Sequence, residues 1–318
     1  MTFKLYSPQD FPAYLPKLNV LYEDLFAGGK GFRSKLVGLV AQPLAIEQKT
    51  LNLLNQTVEF IHNASLLHDD LVDRSSLRRG KKAAWLKYTP EYAVLAGDYL
   101  LARVMVNLSG HGNIRLVQYT SEVISDLLEG EWLQDSIVGD YFINLEQLDR
   151  IHNLKTASLF KWCLRAPFIA QERYDEDLHQ VLEEMGTILG QLFQRGDDLL
   201  DYDIRNDEGK ALFGDLKAGY LNSFGTFMTK DRSRTEIDQL IKAKNMKDLY
   251  SCFSKNADEG KELFTAKVAA FDAINEVMIQ LYQHHLLQLK KLLQPNEIVL
   301  IKNLEPLTEV LYWRRKPS

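Results

Sequence analysis

The nine prolines of this 318-residue chain constrain its fold more than any other feature. Pro8, Pro12 and Pro16 crowd an irregular leader, Pro43, Pro90 and Pro167 fall between long periodic segments, and no other proline occurs until Pro295. Proline breaks helix interiors and is confined to the edges of sheets, so long proline-free segments with an apolar period near 3.6 read as helices. From Leu44 to Arg79 there is neither Gly nor Pro; Val58, Ile61, Ser65, Leu66 and Val72 recur at helical spacing, and Gly80 supplies a stop. Segments around 114–137, 146–170, 176–203 and 262–292 read the same way, and strict apolar/polar alternation is hard to find. The expectation is one all-α domain over residues 1–318, a single large helical bundle with no Gly- or Ser-rich linker to divide it.

Charge and cysteine usage narrow the function classes. A net charge of −5 with no Lys/Arg block leaves no footprint for nucleic acid, so any anion must be held by local basic clusters. Cys163 and Cys252 cannot build a disulfide framework and read as reduced packing residues. Met1 to Val20 carries three prolines and charges rather than a cationic, apolar signal, and no apolar run reaches the roughly 18 residues of a spanning helix. A soluble, cytoplasmic protein without an integral membrane segment is expected.

Two acidic clusters echo each other. Ser65-Leu-Leu-His-Asp-Asp-Leu-Val-Asp73 and Leu192-Phe-Gln-Arg-Gly-Asp-Asp-Leu-Leu-Asp201 are apolar helices ending in adjacent aspartates with a third one turn later. On a helix, Asp69 stacks on Asp73 and Asp197 on Asp201, and stacked like charges are destabilising. A hard divalent cation is the natural compensation. Carboxylates without Cys or His clustering favour Mg²⁺, which keeps water and shares its shell with substrate phosphates. Two such clusters facing each other would hold a diphosphate through several metal ions; the plainer alternative is a pair of solvated acidic helix ends.

Basic residues flank these clusters. Gly28-Gly-Lys-Gly-Phe-Arg33 combines glycines, which let backbone amides approach an anion, with the charges of Lys30 and Arg33, although it is not a Walker loop. Arg78-Arg79-Gly80 follows the first cluster directly, and paired arginines bind phosphate bidentately. Lys155-Thr156 and Gly209-Lys210 come later.

In order and spacing these stretches, with Glu59 to Asp73, Gly97-Asp-Tyr-Leu100, Lys155-Thr-Ala-Ser-Leu-Phe160 and Phe193 to Asp201, resemble the trans-isoprenyl diphosphate synthases, or polyprenyl synthetases, over nearly the whole chain. The resemblance implies an all-helical fold around a central cavity, usually in a homodimer. It implies that Asp69, Asp70, Asp73, Asp197, Asp198 and Asp201 hold Mg²⁺ against an allylic prenyl diphosphate, which Arg78, Lys155, Thr156, Gln194 and Lys210 grip. Lys30, Arg33, His62 and Arg79 would bind isopentenyl diphosphate. Catalysis would fall chiefly on Asp69, Asp73, Asp197, Lys155 and Arg78, through ionisation, condensation and elimination. His62 lies seven residues before Asp69, on the same helix face.

Departures from the pattern are local. Tyr220 stands where the family usually has a lysine, with Lys217 nearby, and Gly31, Phe32 and Ser34 replace the usual arginine, aliphatic residue and proline. Ala64 and Ser65 are small where an aromatic residue forms the floor of short-chain relatives, with Phe60 one turn deeper. One helical turn rises about 5.4 Å, close to one isoprene unit, so a product of about six or more units is expected. The alternatives are a short-chain synthase, a class I terpene cyclase and a silent subunit of a hetero-oligomeric synthase. A cyclase has no use for Lys30, Arg33 and Arg79, and silent subunits typically lack members of the aspartate and arginine set.

Overall fold

The computed structural model describes residues 10–26, 31–78, 80–203 and 213–313. Its helices are α1 (Pro16–Phe26), α2 (Phe32–Ala41), α3 (Gln48–Val72), α4 (Ala84–Lys87), α5 (Pro90–His111), α6 (Ile114–Ser136), α7 (Leu145–His152) and α8 (Ser158–Ala170). After these come α9 (Glu176–Leu200), α10 (Gly214–Ala218), α11 (Ser223–Thr229), α12 (Arg234–Ile241), α13 (Met246–Ser251), α14 (Ala257–Leu292), α15 (Val299–Leu304) and α16 (Leu307–Tyr312). A π-helical turn, Asn153–Ala157, joins α7 to α8. Among the described residues the only sheet is a hairpin, β1 (Leu77–Arg78) antiparallel to β2 (Lys81–Lys82). No described helix is long and apolar enough to cross a membrane.

Local chemistry sets the helix ends. Thr89 caps α5, its Oγ1 accepting the Tyr92 N–H at 3.2 Å, with Pro90 in the first turn where a missing N–H costs nothing. Asn144 and Gln147 form a reciprocal capping box on α7. Two expectations about breakers are corrected. Gly80 does not stop α3, which ends at Val72; at φ +73° it instead lies between the two strands of the hairpin. Pro167 lies inside α8 rather than between segments, three residues from the helix end, where buried neighbours Ala166, Phe168 and Ile169 hold the turn in place.

The described parts of the chain gather into two units. The first comes from Met1–Leu127, Leu159–Gly186 and Leu289–Leu304, the second from Leu128–Ser158, Thr187–Gln288 and Glu305–Ser318. In the first, α3 packs along α5 and α2. Leu54, Val58, Ile61, Ala64 and Leu67 of α3 and Ala93, Ala96, Leu100, Val104 and Leu108 of α5 are all buried, each set at helical spacing. Burying a large apolar side chain contributes about 1.5–3 kcal/mol, so the leucines, valines and isoleucine of this stripe each add to the unit's stability. The leader is pinned through buried Asp10, which accepts from Arg103 at 2.9 Å, Asn107 at 2.9 Å and Gln56 at 2.7 Å.

In the second unit the anchor is buried Arg195 on α9. It binds Asp149 of α7 bidentately at 2.7 and 2.8 Å and Asn275 of α14 at 2.9 Å. Both Asp149 oxygens accept from the one nitrogen Nη2 while Nη1 donates to Asn275, so a single guanidinium ties α9 to two other helices. It sets the azimuth at which Gln194, Asp197 and Asp198 leave α9.

Candidate active site

The first aspartate cluster ends α3. Eleven of the 25 residues of that helix are buried, while His62, Ser65 and Asp69 form a half-buried stripe along one face, and Asp73 at its tip is exposed. The Asp73 N–H still donates to the Asp69 carbonyl at 2.8 Å, so both carboxylates sit on the last turn. Carboxylates at the negative end of a helix are doubly unfavourable, which favours cations there. Arg78, presented by β1, supplies one: its guanidinium forms a two-pronged ion pair with Asp70, Nε donating at 2.9 Å. Asp70 is buried and turned to Arg78, whereas Asp69 and Asp73 keep accessible surface.

Beside this stripe, Arg33 of α2 reaches His62, Nη1 lying 3.2 Å from Nε2. With arginine as donor, the His62 Nε2 is the acceptor of this contact. The Arg33 guanidinium also lies 5.8 Å from the centre of the Phe160 ring. Glu59, one turn before His62, accepts the Ser34 N–H at 3.2 Å, which fastens the start of α2 to α3. Arg33 and His62, expected at one site, are thus in contact; Lys30, Arg79 and Lys210 lie outside the described residues.

The second cluster ends α9. Asp197 is half-buried; Asp198 and Asp201 are buried. Asp198 accepts from Gln194 Nε2 at 2.9 Å, the Ser223 N–H at 2.8 Å and the Ser223 hydroxyl at 2.5 Å. Burial, with the Asp215 carboxylate adding to it, holds the Asp198 carboxyl above the ordinary range. Asp201 accepts the Asp215 N–H at 3.0 Å. Thr156 Oγ1 donates to Gln194 Oε1 at 3.1 Å, completing a chain from Thr156 through Gln194 and Asp198 to Ser223. Lys155, its neighbour in the π-turn, forms an ion pair with Glu131 of α6. Inserted π-turns recur at functional sites because they re-aim side chains within a helix.

Oxygen donors of this kind suit a hard cation. Among the described residues no three acidic or histidine side chains close into a cage.

Residues 16–256 match the model of the polyprenyl synthetase family. The chain belongs to that family. It is 34% identical to the octaprenyl diphosphate synthase of Escherichia coli K12 over 199 residues, covering 62% of this chain and 61% of that protein. The chain thus spans about three fifths of the length of the curated relative it matches. Its fold is similar to that of a decaprenyl diphosphate synthase from Rhodobacter capsulatus, with TM-score 0.81 and 26% identity over 96% of this chain and 92% of that one. A polyprenyl synthase from Caulobacter crescentus CB15, solved with calcium and isoprenyl diphosphate, gives TM-score 0.75 and 26% identity over 96% and 90%.

Family membership gives the departures a structural context. Ser34 donates its N–H to Glu59 and its hydroxyl to the Gly31 carbonyl at 3.0 Å, and the proline usual in the family could make neither bond. Lys217 is exposed on α10, and the Tyr220 N–H donates to the Asp215 carbonyl at 2.9 Å. Of the positions expected from sequence to set chain length, Phe60 and Ala64 are fully buried, Phe60 edge-on to Phe11 at 5.8 Å. Ser65, one turn below Asp69, retains accessible surface.

Several supporting residues were not singled out from sequence. Glu131 carries no motif of its own, and Asp215 and Ser223, although within the Asp215–Phe224 stretch that departs from the family pattern at Tyr220, were given no role; only folding brings them to Lys155 and Asp198. Gly97 has a clearer signal, the Gly-Asp pair at 97–98. A Cβ there would stand 2.2 Å from His68 Nε2, so glycine lets α5 pass the ring next to Asp69.

Proposed function

We propose that this chain is a Mg²⁺-dependent trans-prenyltransferase that condenses isopentenyl diphosphate with an allylic prenyl diphosphate to build a long-chain polyprenyl diphosphate. One observation carries the reading: each aspartate cluster is tied by hydrogen bonds to the group expected to grip a diphosphate. Asp70 orients Arg78, and Asp198 orients Gln194 and, through it, Thr156. The relatives named for octaprenyl and decaprenyl products support the long-chain assignment.

Asp69, Asp73, Asp197 and Asp201 would hold Mg²⁺, which supplies positive charge to the departing diphosphate. By the family resemblance, Arg78, Lys155 and Thr156 would add donors to the allylic diphosphate, stabilising charge that develops in the transition state. Arg33 binds the second diphosphate, with His62 against its guanidinium, and holds the isopentenyl double bond within reach of the allylic carbon. The bond from allylic carbon to diphosphate oxygen breaks, a carbon–carbon bond forms, and a proton leaves to the released diphosphate. A homodimer is part of this reading: Leu95, Ala102 and Val106 lie exposed along one face of α5, an apolar strip suited to a second copy.

The decisive experiment incubates the purified chain with labelled isopentenyl diphosphate, an allylic primer and Mg²⁺, and separates products by reversed-phase chromatography. Label in long chains is expected. Conversion of the primer without isopentenyl diphosphate would mark a cyclase instead, and no turnover by the chain alone a silent subunit.

A further inference from the structure

The π-turn bearing Lys155 and Thr156 is clamped by glycines on two helices. A Cβ at Gly130 of α6 would stand 2.7 Å from Lys155 Cγ and 2.9 Å from Leu154 Cβ, and one at Gly190 of α9 would stand 2.3 Å from Ala157 Cα. Side-chain carbons do not approach that closely, so only glycine permits both crossings. The backbone of the turn is therefore fixed, and what remains adjustable is where its polar side chains point.

Each of the two has a resident partner. Thr156 donates to Gln194, and Lys155 pairs with Glu131, the residue following the Gly130 notch. The Lys155 and Glu131 side chains keep only 17% and 18% of their surface exposed, so the pair is poorly screened. Glu131 Oε2 nevertheless receives no aligned hydrogen bond. The contact is an ion pair at the same ammonium, so a diphosphate reaching Lys155 would compete with Glu131 for it.

We propose that Glu131 is a positioning residue: a resident counter-anion that holds the Lys155 ammonium until a diphosphate displaces it, and recaptures it when diphosphate departs. This rests on the assignment of Lys155 to the allylic diphosphate. Glu131 then weakens diphosphate binding in the ground state and speeds release of the product.

The test is calorimetric titration of the full chain with inorganic diphosphate in Mg²⁺, on wild type, Glu131→Gln, Lys155→Ala and the double variant. Glu131→Gln should bind inorganic diphosphate about tenfold more tightly, the usual scale for one charged hydrogen bond. In steady state it should lower kcat and KM for the allylic substrate together, a split that general loss of structure does not produce. In the Lys155→Ala background the substitution should change nothing, because the coupling runs through that one ammonium. Glu131→Asp, which keeps the charge but shortens its reach, should shift binding the same way by a smaller factor. Unchanged or weaker binding by Glu131→Gln, or an equal shift without Lys155, overturns the proposal while leaving the diphosphate site intact. Failure of wild type to bind diphosphate at all overturns both.

Discussion

Arg78 reaches back eight residues to Asp70, Nε to Oδ1 at 2.9 Å, and the Asp70 side chain is 5% exposed while the Arg78 side chain keeps 39% of its surface. One end of the pair is buried structure and the other faces outward. The middle aspartate of the first cluster thereby serves the arginine, and under the proposed function Asp69 and Asp73 are the members that would hold Mg²⁺.

That division separates the aspartates by experiment. Asp69→Ala and Asp197→Ala should each cost about a thousandfold or more in kcat, or ~4 kcal/mol of transition-state stabilisation, with the circular dichroism unchanged. Asp70→Asn should cost about tenfold, felt mainly as weaker allylic binding, because it loosens Arg78 without deleting a ligand. Equal losses in all three would show that Asp70 acts on the metal directly.

The two diphosphates should respond to different cations. Arg33→Ala should raise KM for isopentenyl diphosphate about tenfold, and Lys155→Ala should do the same for the allylic substrate. Steady-state kinetics with each substrate varied in turn distinguishes them. Parallel effects on both substrates would refute the separation.

Product length should turn on Ser65 more than on Ala64. Ser65 keeps accessible surface one turn below Asp69, so Ser65→Phe should shift products to short chains at little cost in stability. Ala64 is fully buried, and Ala64→Phe should overpack the contact with α5 and cost about 1–3 kcal/mol as well. Chromatography of products and urea midpoints report the two effects separately.

Buried His152 gives the fold a pH signature. Burial, with Arg195 and Lys155 adding to it, drives its pKa from 6.5 down to about 3, so the folded ring stays neutral. As pH falls through 6.5 the unfolded chain takes up a proton that the folded one refuses. Unfolding free energy therefore drops as pH falls between 6.5 and about 3, and this contribution is level above 6.5. The slope approaches about 1.4 kcal/mol per pH unit. His152→Gln should remove that slope in urea titrations across the window, and an unchanged slope would show that the ring is protonated when folded.

The helical class, the two acidic clusters and the family were legible in the chain itself because they depend on local spacing. A period of 3.6 places His62, Ser65 and Asp69 on one face whatever surrounds them. Proline and glycine were less reliable guides, since their meaning depends on packing. Pro167 is carried within α8 by its buried neighbours, and Gly80 serves a hairpin. The division of labour among the aspartates was decided only by tertiary structure. Asp70 and Asp198 are chemically identical to Asp69 and Asp197, and only the approach of Arg78, Gln194 and Ser223 converts them into supports. The pairing of Glu131 with Lys155, 24 residues apart, was equally invisible, because long-range contact depends on how helices cross, and here on glycines at 130 and 190 that let them cross so closely.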